Sequence, residues 1–311
     1  DSVNGHMNIS KGVITDDPAV SLPIGAELRF QSVPIVGEVP PGAATLKNWD
    51  YFDGVVLAIS FSDSAHLRVH GSAVLVAPGI ALAAAHVVEP HLNAMLAGQT
   101  VANCHGIASH GQTIWHVRKV TFAPESDIAI LGLVLASTLP PNNLFLQSLI
   151  STRTPAIGEE LLVCGFRATS SEFPREASGV AIGGNVWVCR GEVTQRYPNG
   201  RDSSMLPWPV LEVSVGAGGG MSGGPVYDLK GQLLGLLCSS IDFGEEGGIS
   251  YVSLLWPALA LRFECSWPSG FQIEPISLLD MDNRVCTIDK RDALVVERTE
   301  GSSRVHYHEW E

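Results

Sequence analysis

The sequence predicts an all-β fold, and three observations carry that expectation. Short apolar runs of strand character recur from Val55 to Leu254, bounded by turn-forming Gly, Pro, Asn and Asp. Only Trp256 to Phe263 reads as a helix, a short closing one with Pro257 tolerated in its first turn. The 311 residues suffice for one large or two small domains, so a two-barrel architecture with extensions fits.

Taken in order, residues 1–49 make no regular element. Gly5-His6-Met7 reads as a cloning scar ahead of a native start at Met7, and no signal peptide is visible. From Asn8 to about Trp49 the chain is rich in Pro, Gly and Val without periodicity, which predicts an irregular arm over the surface. Strands are then expected at Val55 to Phe61, His70 to Val76, Ile80 to Ala84, Thr113 to Phe122 and the run after Asp127. In the second half they are expected at Ile157 to Phe166, Asn185 to Arg196, Pro209 to Val215, Val226-Tyr227, Leu234 to Ser240 and Ile249 to Leu254. The polar, Pro/Gly-rich segments Arg167 to Val180 and Tyr197 to Pro207 suit the rim of a cleft. Beyond Cys265, a hairpin is expected from Leu294 to Arg298 and Arg304 to His308. His306 and His308 alternate onto one strand face, but without a third ligand nearby they imply no metal.

Composition excludes several function classes. With 32 acidic against 19 basic residues the formal charge is -13, so a nucleic-acid backbone is not an expected partner. The longest apolar candidate, Ala73 to Val88, is broken by Pro78, Gly79 and His86, so no membrane span is expected. Six cysteines occur singly, at 104, 164, 189, 238, 265 and 286, and several lie in apolar strand-like runs. They read as buried free thiols, which points to a reducing compartment and hence the cytoplasm.

The chemistry concentrates at Gly218-Gly219-Gly220-Met221-Ser222-Gly223-Gly224-Pro225. Glycine loses more freedom on folding than any other residue, so five around one serine imply special backbone dihedrals. An oxyanion hole supplies the reason, because acyl transfer needs backbone N–H groups aimed at one developing anion, and those of Gly220 and Ser222 can converge. Apolar segments flank the loop, Leu211 to Val215 before it and Val226-Tyr227 after it, the latter leading to an Asp228-Leu229-Lys230-Gly231 turn. A nucleophile elbow would instead run straight into a helix, which Gly223, Gly224 and Pro225 oppose. Two further residues suit the same chemistry. His86 ends a run of small residues, and Asp127 heads the apolar run Ile128-Ala129-Ile130-Leu131. Taken alone, His86 reads as a core histidine and Asp127 as an Asx turn. Together with Ser222 they stand in the order His, Asp, Ser, and of the three familiar triad orders this alone suits every local context.

On Ala84-Ala85-His86-Val87, Asp127 to Leu131 and Gly220 to Pro225, spaced by 41 and 95 residues, the sequence resembles the trypsin-like (chymotrypsin-fold) serine peptidases. It looks most like bacterial domains of that kind, and distantly like HtrA-type proteases without a PDZ domain. The resemblance implies two six-stranded antiparallel β-barrels, the first at about 50–140 and the second at about 155–263, with the site between them. Residues 264–311 form a C-terminal extension. It implies a serine endopeptidase acting on a protein or peptide, with His86, Asp127 and Ser222 as triad, the N–H groups of Gly220 and Ser222 as oxyanion hole, and no cofactor or metal. Gly216, Ala217, Cys238, Ser239 and Ser240 would line the specificity pocket; Cys238 or Ser239 also falls where the family places a serine supporting the aspartate.

Departures from the pattern narrow the expectation. Gly216 stands where enzymes cutting after Lys or Arg keep an aspartate, so a neutral or apolar side chain suits the pocket. Asp242, Glu245 and Glu246 in the following loop read as surface charge. Ile35-Val36-Gly37 is similar to the start of zymogen-activated relatives, but Met221 stands where the pairing aspartate would be, so no such activation is expected. The rival readings are an enzyme gated by a protein partner and a catalytically silent protease-fold binding module.

Overall fold

Strand pairing closes two barrels. A computed structural model of the chain describes residues 12–23, 25–35, 45–47, 52–176, 180–242, 247–299 and 302–307. The first barrel consists of β1 (Val56–Ser62), β2 (His66–Ala77), β3 (Ile80–Ala84), β4 (Val101–Ala108), β5 (Gly111–Phe122) and β6 (Ile128–Leu135). Its antiparallel pairs run β1-β2-β3-β6-β5-β4 and return to β1. The second consists of β7 (Glu160–Ala168), β8 (Gly184–Tyr197), β9 (Val210–Val213), β10 (Pro225–Asp228), β11 (Leu233–Asp242) and β12 (Gly248–Leu254). Its pairs run β7-β8-β9-β12-β11-β10 and return to β7, the same order over again. The chain therefore has the two-barrel, all-β architecture of the chymotrypsin-like fold.

Both faces of the first barrel's central strands are covered, which is why they read as unbroken apolar runs rather than as alternations. All of Ile80–Ala84 is buried. Alternate residues enter different clusters: Leu57, Leu75, Ala83 and Leu131 pack with Trp115 and Trp267, whereas Val56, Val74, Leu82 and Ile130 join the cluster that continues into the second barrel.

Several elements differ from the sequence expectation. Strand β4 has no clear sequence signal, because Asn103, His105 and Gly106 interrupt it; pairing on both sides with β1 and β5 overrides that weak propensity. The arm expected to be irregular contributes Arg29–Val33, paired in parallel with Leu144–Ser148, and Phe30 lies against Phe145 and Trp267. The expected closing helix is reduced to a single 3-10 turn, Trp256–Ala258; its N–H groups bond three residues back, and at Phe263 a bridge to Ile276 draws the chain away. α-Helix occurs instead after β3, as α1 (Ala85–Val88) and α2 (Leu92–Leu96). The tail hairpin forms between Leu294–Thr299 and Ser302–Tyr307. Residues 1–11, 24, 36–44, 48–51, 177–179, 243–246, 300–301 and 308–311, with His308, Glu245, Glu246 and most of Ile35-Val36-Gly37 among them, lie outside the described residues.

All six cysteines are free and buried. Among the described residues no helix is long and apolar enough to cross a membrane.

Candidate active site

The site begins where the end of β3 lies beside the start of β6. Ala84 pairs with Ile128, so the residues just beyond, Ala85-His86 on one strand and Asp127 on the other, meet at the barrel rim. The Ala85 N–H donates to the Asp127 carbonyl at 3.2 Å. The Asp127 carboxylate then holds His86 twice: one oxygen accepts the backbone N–H at 2.9 Å, and the other lies 2.7 Å from ring Nδ1. A carboxylate acceptor at Nδ1 places the neutral ring's proton on that nitrogen and leaves Nε2 as the acceptor. Asp127 is 7% exposed and His86 47%, so the pair has a buried anchor and an open working end. The hydrogen bond to Asp127 raises the His86 pKa above its ordinary value, against the opposing effect of burial.

The glycine loop reaches this rim from the second barrel. A Cβ on Gly223 would lie 2.3 Å from the Ser72 carbonyl oxygen and 2.7 Å from the Ala84 nitrogen; its φ is +79°. A Cβ on Gly224 would lie 2.0 Å from the Cys164 carbonyl oxygen. Only glycine permits the loop to lie flat on both barrels, and this close approach brings Ser222 to the rim that carries His86. Met221 is fully buried beneath it, packed where a Gly165 side chain would stand. The residue at the expected zymogen-pairing position is thus a core side chain.

Donor accounting within the loop is uneven. Met221 N–H goes to the Gly218 carbonyl at 3.3 Å, Gly223 N–H to Leu237 at 2.8 Å and Gly224 N–H to Met221 at 2.8 Å. Among the described residues the N–H groups of Gly220 and Ser222 have no acceptor, and Gly220 adopts φ +89°. No hydrogen bond joins Ser222 to His86.

The expected pocket residues gather beside this loop. The Ala217 N–H donates to Ser240 Oγ at 2.7 Å, and Ser240 Oγ also lies 3.2 Å from the Ile249 carbonyl and 3.1 Å from Ser250 Oγ. Gly216 runs against Gly248, where an added Cβ would sit 2.4 Å from the Gly216 Cα. Cys238 is the extra residue of a bulge between β11 and β12, opposite Val252 and Tyr251. Its thiol bonds to the Tyr251 carbonyl at 3.2 Å, and burial, reinforced by the nearby Asp127 charge, pushes it up to about 12. Ser239 is half-buried and pairs with Tyr251.

Two residues escaped the sequence reading. Arg167 lays its guanidinium over the Trp187 ring, 4.6 Å from the centroid, and against Gly218, where a Cβ would lie 2.4 Å from its Cζ. Ser72, fully buried at 0% exposure, bonds the glycine loop from the other barrel. The only sequence signal for Ser72 was a Gly-Ser pair inside an apolar strand.

The chain matches the trypsin-like peptidase domain family over residues 71–236, just over half its length, and belongs to that family. It is a protease-type hydrolase of the chymotrypsin-like class. Among solved structures it is similar to the MamO protease domain of Magnetospirillum magneticum at 14% identity, covering 65% of this chain and 92% of that one, with a TM-score of 0.40. It is also similar to Rv3671c of M. tuberculosis H37Rv, Ser343Ala mutant, inactive form, at 20% identity, covering 71% and 91%, with a TM-score of 0.41. A third is the HtrA-type protease AlgW with decapeptide, at 18% identity, covering 65% of this chain and 61% of that one, with a TM-score of 0.42. No curated protein sequence matches it.

Proposed function

We propose that this chain is a serine endopeptidase in which Ser222 attacks the scissile carbonyl and forms an acyl-enzyme. His86 Nε2 takes the serine proton and later gives it to the leaving amine, while Asp127 holds the ring tautomer and stabilises the imidazolium. A water activated by the same imidazole then releases the acyl group. The observation that carries this reading is the double hold of Asp127 on His86, at 2.9 and 2.7 Å, on the rim where the Gly223 backbone docks the serine loop.

The unspent N–H groups of Gly220 and Ser222 support their role as oxyanion hole, since donors left free at a loop of this kind are available to a developing anion. Small, neutral walls at Gly216, Ala217, Ser239 and Ser240 support a neutral or apolar residue before the cut. Cys238, near Asp127 and turned into a cluster with Leu206, Val210 and Tyr251, fits support of the aspartate better than lining of the pocket. The peptidase unit is assigned to residues 50–263, and six buried free thiols favour the cytoplasm.

A gated form of this enzyme is the second reading, supported by the mobility that five glycines give the loop; the Ser222 to His86 hydrogen bond is not formed in the free chain. Catalytic hydrogen bonds of free enzymes commonly tighten only with substrate, so this contact would close on binding a substrate or an activating protein partner.

The test is reaction with a fluorophosphonate probe, comparing the parent with Ser222→Ala and His86→Ala. Labelling at Ser222 that both substitutions abolish is the expected result. A folded parent that stays unlabelled, alone and with candidate partners, would leave a silent binding module as the reading.

A further inference from the structure

Ser72 connects the two barrels at the one place where catalysis depends on backbone geometry. Its N–H donates to the Ser222 carbonyl at 2.8 Å, and its Oγ donates to the Gly220 carbonyl at 3.0 Å. The same Oγ accepts the N–H of Phe166 on β7 at 2.8 Å. One fully buried serine on β2 therefore grips both ends of Gly220-Met221-Ser222 and is itself oriented by the second barrel. Just before it, a bulge in the β1–β2 pairing leaves His70 as the extra residue, between Val69 opposite Ser60 and Gly71 opposite Ile59. Bulges re-aim side chains beside active sites, and this one sets the phase of the strand as it reaches Ser72. The space is tight: a Cβ on Gly71 would lie 2.7 Å from Val87 Cγ1 and 2.9 Å from the Ser222 carbonyl oxygen.

Glycine-rich backbone does not hold two N–H groups convergent by itself, because glycine populates positive and negative φ about equally. Something outside the loop must supply the constraint. We propose that Ser72 is a positioning residue for the oxyanion hole: by bonding the carbonyls of Gly220 and Ser222 it fixes the peptide planes that flank the two unspent donors. The Gly220-Met221 peptide lies between the two peptides that carry the Gly220 and Ser222 N–H groups, so a turn of either donor that drags this peptide with it breaks the Ser72 Oγ bond. This inference rests on the serine-peptidase reading above.

The experiment follows fluorophosphonate labelling of the full chain against probe concentration and pH, in the parent, Ser72→Ala and Ser72→Cys. In Ser72→Ala the maximal labelling rate should fall by about ten- to a hundredfold, less than deletion of a whole oxyanion donor costs. The half-saturating probe concentration should stay within about twofold. The pH midpoint should also stay where it is in the parent, because Asp127 and His86 are untouched. Ser72→Cys, which keeps the size and a weak donor, should recover part of the rate; it carries the same comparison if Ser72→Ala does not fold.

A labelled parent with an unchanged maximal rate in folded Ser72→Ala overturns the assignment, as does a rate that falls only with the folded fraction measured by circular dichroism. A shifted pH midpoint overturns it too, since it places the effect on the His86 side. A parent that does not label fails the serine reading itself, an outcome distinct from all of these.

Discussion

The two barrels share one strand order yet carry their parts of the site by opposite means. In the first barrel, His86 and Asp127 are set by strand pairing and closed by three hydrogen bonds between them and Ala85, a finished construction. In the second, Ser222 rides on a glycine loop in which the N–H groups of Gly220 and Ser222 have no acceptor among the described residues. In the His86-Asp127 half the polar groups satisfy one another. In the proposed mechanism the Ser222 half must keep its donors unsatisfied to use them; close packing at Gly223 and Gly224 braces it from outside.

If the halves differ in this way, substitutions should differ in kind. The largest effects are expected at the groups proposed to react: Ser222→Ala or His86→Ala should each lower kcat by on the order of 10⁶ without loss of fold, measured on a peptide substrate found by cleavage profiling. Next, Asp127→Asn should cost about 10⁴ in kcat by releasing the ring tautomer, and should move the pH midpoint downward. A retained midpoint in that variant would break the claim that Asp127 tunes His86.

Substituting the brace should damage activity and fold together. Gly223→Ala places a methyl group against the Ser72 carbonyl and the Ala84 nitrogen at positive φ, so we expect a loss of about 1–3 kcal/mol in denaturant unfolding, with labelling slowed by on the order of a hundredfold. A folded, fully active Gly223→Ala would show that the loop needs no close contact with the first barrel.

The pH dependence sharpens the same contrast. Because Asp127 raises the His86 pKa, the base is neutral only above that raised value, so the acid limb of labelling should lie above about 6.5, the ordinary histidine range. The pair's contribution to stability has the opposite sense. It is fully present below the unfolded-state histidine pKa and is lost as pH rises through the folded one, so Asp127→Asn should destabilise the protein more at low pH than at high. Equal destabilisation across that range would argue against the charge coupling.

Much of this was legible from sequence where a local rule dominates. Ile80 to Ala84 was readable to the residue as a strand, because a short apolar run just behind Pro78-Gly79 favours a strand over a helix. The glycine loop was readable because its composition is costly unless used. Strand β4 was not, since Asn103 and His105 are polar residues whose burial is supported by partners distant in sequence, the ring of His116 and the hydroxyl of Ser60. The arm's strand at Arg29–Val33 was hidden for a similar reason: its partner, Leu144–Ser148, lies more than a hundred residues away.

By itself, the sequence determined the all-β class, the His-Asp-Ser order, the absence of an acidic residue at Gly216 and the free state of the cysteines, all properties of residue type and local pattern. Only the tertiary structure decided that one carboxylate takes both N–H groups of His86 and that Ser72 reaches across to the glycine loop. Each of these depends on hydrogen bonds between segments far apart in the chain, whose geometry exists only once both barrels have closed.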